Sequence, residues 1–108
     1  MGMYMVQFAY TSQAWNALAR NPEDREITFR GLAEKMGAKL ISLHYCFGEY
    51  DGVVLIEAPD EATVMAIVVA AVSPGHVKAA KTTVLSTVQQ ALNALGRAGV
   101  ATYHAPQG

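Results

Sequence analysis

His44, Cys46 and Glu57 are the side chains whose types and spacing best suit chemistry. They belong to the run Leu40-Ile-Ser-Leu-His-Tyr-Cys-Phe-Gly-Glu-Tyr-Asp-Gly-Val-Val-Leu-Ile-Glu. In an extended strand His44 and Cys46, two positions apart, project from one face. Asp51-Gly52 suits a two-residue type I′ hairpin turn, which needs positive φ at both central positions. With that turn, Cys46 faces Glu57 and Phe47 faces Ile56, and opposed residues share a face. One wall then carries Ser42, His44, Cys46, Leu55 and Glu57; the other carries Leu43, Tyr45, Phe47, Val54 and Ile56. On the mixed wall a neutral imidazole at His44 can act as general base or ligand. The plainer reading of that wall is a polar face satisfied by water or by a partner sheet, and it is the weightier.

Other chemistries find less support. His44, Cys46 and one carboxylate are the minimum set for a metal ion. His76 follows a glycine in a loop and His104 lies near the end of the chain, so neither is placed to complete it. A Cys-His nucleophilic pair is disfavoured because neighbours at i and i+2 on a strand point in parallel. The acidic cluster Glu23, Asp24 and Glu26 is explained by carboxylates favouring the positive end of a helix dipole. No metal and no cofactor is expected.

The elements that must position these residues can be read in order. Met3 to Tyr10 reads as a first strand, with Tyr4, Val6, Phe8 and Tyr10 on one face and Met5, Gln7 and Ala9 on the other. Thr11 or Ser12 caps a helix through Trp15 and Leu18 to about Arg20. Asn21-Pro22 starts a fresh helical segment that ends near Met36, with Gly37 beyond it. After the hairpin, Asp60 caps a helix over Ala62–Val72 that is apolar nearly all round, and such a helix needs cover on every side. Val77 to Leu85 is a fourth strand. Ser86 with Gln89, or Thr87 with Gln90, forms a capping box for a short helix ending near Gly96. Residues 100–108 read as a loose tail.

At 108 residues the chain is one domain, residues 1–108 with a core over about 3–95. With 52% hydrophobic and 16% charged residues it lacks the polar surface of an ordinary monomer. That points to apolar surface buried against another copy. The eight basic residues are scattered and the net charge is −1, which argues against nucleic acid. A single cysteine excludes an internal disulfide. No apolar run is long enough to span a bilayer and no signal peptide is seen, so the expected compartment is the cytoplasm.

Gly48-Glu49-Tyr50-Asp51, an apolar strand, and then Glu57-Ala58-Pro59-Asp60 resemble the GYD domain family. The likeness runs from Tyr4 to about Leu95 and is densest there and at Gly37 and Gly75. It implies the dimeric α+β barrel superfamily, where the bare sheet faces of two subunits pack together. The element order itself predicts a ferredoxin-like split βαβ: a four-stranded antiparallel sheet, helices on one face, and an additional short C-terminal helix. The family brings no catalytic residues to transfer.

The expected function is a homo-oligomeric module that binds a small, largely apolar molecule between sheet and helices or inside the barrel. Gln7, Ser42, His44, Cys46, Tyr50 and Glu57 are the candidate ligand contacts, with Gly48, Asp51 and Gly52 shaping the turn. One alternative is a cofactor-independent monooxygenase or isomerase with His44 as base and Tyr50 or Gln7 as an orienting donor. The other is a purely structural assembly module.

Overall fold

Side-chain caps set the helix boundaries. In a computed structural model that describes residues 1–107, the order is β1 (Gly2–Tyr10), α1 (Ser12–Arg20), α2 (Arg25–Lys35), β2 (Lys39–Tyr45), β3 (Gly52–Ala58), α3 (Glu61–Val72), β4 (Val77–Leu85) and α4 (Val88–Gly99). Thr11 Oγ1 accepts from Ala14 N at 3.1 Å, and Asp60 Oδ1 accepts from Thr63 N at 2.8 Å. Thr87 and Gln90 form the reciprocal capping box, with Gln90 N to Thr87 Oγ1 at 3.0 Å and Thr87 N to Gln90 Oε1 at 2.8 Å. Each such cap stabilises its helix by about 1 kcal/mol.

The segment after Arg20 departs in one detail from the cap expected at Asn21. Asn21 closes α1, donating its N–H to the Ala17 carbonyl at 2.9 Å. Asp24 then caps α2, its Oδ1 accepting from Glu26 N at 2.9 Å and Ile27 N at 3.3 Å. Gly37, at φ 79°, lets the chain leave α2 with Ala38 N on the Ala33 carbonyl and Gly37 N on that of Glu34.

The four strands form one antiparallel sheet in the order β2-β3-β1-β4, the ferredoxin-like arrangement. Tyr4, Val6, Phe8, Leu40, Val54 and Ile56 point to one face and pack with Ala33, Val64 and Ile67 of the helices in a single core. The other face carries Met3, Met5, Gln7, Val53, Leu55 and Glu57, all half-buried by their own neighbours with no helix laid across them.

The hairpin differs from the tight turn expected at Asp51-Gly52. Tyr45 faces Gly52 and Leu43 faces Val54, so residues 46–51 form a wider loop. Neither Asp51 nor Gly52 has positive φ, because a long loop does not need the mirror-image turn. Cys46 therefore does not face Glu57, whose partner is Lys39. Phe47 leaves the apolar wall and is 95% exposed in the loop. The displacement is by an even number of residues at the turn end, so Leu43, Val54 and Ile56 keep the core side while Ser42, His44 and Leu55 keep the other.

Helix α4 stands away from the body. Val88, Leu92 and Leu95 lie on one stripe at helical spacing and are 77%, 55% and 66% exposed. The radius of gyration is 17.8 Å, against about 13 Å for a compact chain of this length. Residues 101–107 carry no regular structure and are exposed; Gly108, the end of the expected tail, lies outside the described residues.

Candidate functional site

Small side chains leave the space between α2, α3 and the sheet unfilled. Gly31 on α2, Ala70 and Ala71 on α3, and Ala80 on β4 all face the space between the two helices and the sheet. Interiors normally close-pack and leave few voids larger than a water molecule. Here a cleft of about 470 Å³ remains, within the range of small-molecule sites. Its floor is Val6, Phe8, Leu43, Val54 and Val77, and Phe29, Leu32 and Val68 line its walls.

One end of the cleft is polar. Tyr10, Arg25 and His76 line it there, and the same three residues line a second cavity of about 310 Å³ on the α1 side. Tyr10 comes from the end of β1, Arg25 from the first turn of α2, and His76 immediately precedes β4. The Tyr10 and His76 ring centroids are 6.1 Å apart, and Trp15 meets Tyr10 edge-on at 5.1 Å. The Tyr10 and Tyr45 hydroxyl oxygens lie 3.5 Å apart.

Asp51 holds this corner together. Its Oδ2 accepts from the Tyr10 backbone N–H at 2.8 Å and from Trp15 Nε1 at 3.1 Å. Its own N–H donates to the Phe8 carbonyl at 2.8 Å, and its carbonyl accepts from Cys46 N at 2.8 Å. Burial, and then the neighbouring Tyr45 hydroxyl, hold the Tyr10 phenol well above its ordinary value of 10.0, with Arg25 pulling weakly the other way. Burial, and then the charge of Arg25, hold His76 below its ordinary 6.5. At neutral pH the corner thus presents a protonated phenol, a neutral imidazole and a guanidinium.

The residues singled out from sequence lie elsewhere. His44, Val53, Gln7 and Lys81 form one row across the uncovered sheet face, and Ser42, Leu55, Met5 and Thr83 form the next. Ser42 and His44 are therefore neighbours on β2, while Gln7 lies two strands away beyond Val53, about 10 Å from His44. Glu57 is not among them, being four positions along β3 from Val53, or about 13 Å. Cys46 and Tyr50 sit in the loop, where Cys46 Sγ donates to the Tyr50 carbonyl at 3.3 Å. Neither cavity is lined by any of the six. Among the described residues no three of His, Cys, Asp and Glu are placed to hold a metal ion, and no helix is long and apolar enough to cross a membrane.

Tyr10, Arg25 and His76 escaped the sequence reading because they are scattered along the chain. One signal was there: Tyr10 ends the first strand, Val77 begins the fourth, and these two strands are antiparallel neighbours in a split βαβ sheet. That pairing alone brings His76 beside Tyr10.

The GYD domain model matches residues 4–95 of this chain. The fold is similar to that in the crystal structure of MtbAldR, with a TM-score of 0.54 and 16% identity over 80% of this chain. The chain spans about half of that protein, 52% of its length, and the likeness is one of fold. No curated protein matches the chain.

Proposed function

The chain belongs to the GYD domain family, and on that footing we propose that it is a homo-oligomeric module, working in the cytoplasm, that binds a small and largely apolar molecule. The observation that carries the binding is the cleft of about 470 Å³ between the sheet, α2 and α3. It is lined mostly by apolar side chains, with Tyr10, Arg25 and His76 gathered at one end and Lys35 further along α2, and small-molecule sites combine affinity with orientation in this way. Self-association is supported by the apolar surface one copy leaves open: the sheet face around Met5 and Leu55, and Met65 and Val69 on the outer side of α3, 68% and 57% exposed. The cytoplasm suits a chain whose single cysteine, Cys46, has no partner for a disulfide.

Gly31 supplies the test. It lies within α2 and lines the cleft, and a Cβ added there meets nothing within 4 Å. Gly31→Leu should therefore start from an unopposed Cβ and take up space in the cleft, while removing a mid-helix glycine favours the helix by about 0.5–1 kcal/mol. The parent should bind the neutral apolar dye Nile red with enhanced fluorescence, and Gly31→Leu should melt no lower yet lose the dye. Equal dye binding by a well-folded Gly31→Leu would refute the cleft as the site.

A further inference from the structure

We propose that the cleft selects an apolar molecule bearing one carboxylate, with that carboxylate seated against Arg25, Tyr10 and His76. The inference rests on the cleft being the binding site and adds the chemical class of what it takes. Its first support is the charge of the lining. The chain has nine acidic and eight basic residues, yet no Asp or Glu lines the cleft, whereas Arg25 and Lys35 both do.

The second support is the geometry of the polar end. Arg25 Nη1 engages Glu23 at 2.6 Å, and Glu23 lines the cavity on the α1 side, away from the cleft. Besides Glu23 the guanidinium lies beside the Tyr10 hydroxyl, and the rest of its five N–H donors remain for a ligand. Closing an uncharged ligand over them would bury donors without acceptors, which is costly. A carboxylate instead accepts from the planar fork in two parallel bonds. The protonated Tyr10 hydroxyl is a further donor beside it, and neutral His76 has a ring N–H to offer.

With its charge already shared with Glu23, the guanidinium suits a singly charged acid through its remaining donors rather than a more highly charged group. A phosphate dianion needs a second cation close by, and Lys35 is ten positions along α2, about 15 Å away. The amphipathic α4 of a second copy is a poorer occupant. Its one charged side chain is Arg97, which would add a cation to a lining that already has two.

The test uses the full chain and three probes that share one apolar body: naphthoate, naphthalenemethanol and naphthylmethylammonium, followed by calorimetric titration. Naphthoate should bind about tenfold or more tighter than the alcohol, with the ammonium weakest. Arg25→Gln should weaken the acid far more than the alcohol and close most of the gap between them. Arg25→Lys, which keeps the charge and loses the fork, should fall between, and it serves where Arg25→Gln does not fold. Alcohol bound as tightly as acid overturns the carboxylate inference and leaves the cleft standing. No binding by any probe, with Nile red also excluded, overturns the cleft itself. If the probes bind only to the full chain carrying Leu92→Lys, the occupant is α4 of a second copy and the carboxylate inference falls.

Discussion

Asp51 accepts a hydrogen bond from the indole Nε1 of Trp15 at 3.1 Å, joining the hairpin loop to α1 across 36 positions of sequence. The same oxygen takes the Tyr10 backbone N–H. Asp51→Ala leaves both donors without an acceptor in a partly buried corner, a loss of about 2 kcal/mol. Asp51→Asn keeps one acceptor oxygen and should lose less. Urea midpoints measure both, and fluorescence of the single tryptophan reports whether its surroundings change. A midpoint for Asp51→Ala equal to that of the parent would show that Asp51 does not hold the corner.

Gly52 lies against the ring of Phe8, its partner across β3 and β1, and a Cβ there would overlap the ring. Gly52→Ala should therefore destabilise the fold by about 1–3 kcal/mol, the usual cost of overpacking. Phe8→Leu made in the same chain frees the space. The double variant should then lose less than the two single losses together, a coupling that a double-mutant cycle reads directly. Strict additivity would place the cost of Gly52→Ala elsewhere.

Both residues stood out in the sequence, and for a different reason. Asp-Gly predicts a two-residue turn because a dipeptide carries only its local chemistry. The actual roles of Asp51 and Gly52 depend on Trp15, Tyr10 and Phe8, which are distant along the chain. Local signals worked at most places where the cause is local: the caps at Thr11, Asp60 and Thr87, the exit at Gly37, and the alternation that sorts β1 into two faces, with Asn21 the exception. The cleft was not legible for the opposite reason. It results from small residues on α2, α3 and β4 facing one another, and an Ala-rich α3 reads as packing until its neighbours are known.

Tyr10 sets a limit on alkaline stability. A phenol with its pKa raised by folding binds its proton more tightly in the folded chain than in the unfolded one. Its contribution is complete below the ordinary value of 10.0 and is lost as pH rises through and beyond it. In an ultraviolet titration of tyrosinate, one of the five tyrosines should lag until the fold opens. Tyr10→Phe should remove the lagging component. Five tyrosines titrating together near the ordinary value in a folded chain would contradict the burial argument.

The uncovered sheet face and the stripe on α4 should both enter an interface between copies. Leu55 lies in the middle of that face, between Ser42 and Met5 on the flanking strands. Leu92 is central to the stripe of Val88, Leu92 and Leu95. A specific interface removes about 800 Å² from each partner, and contiguous apolar surface of that size is rarely left open to water. Sedimentation of the parent at micromolar concentration should show an oligomer. Leu55→Lys places a charge at the centre of the face and should shift the chain toward monomer without entering the helix-side core. Leu92→Lys tests α4 by itself: the helix stands apart from the body, so the substitution should spare the fold while weakening assembly. A parent that sediments as a compact monomer would overturn the self-association. An oligomer unmoved by Leu92→Lys would confine the interface to the sheet.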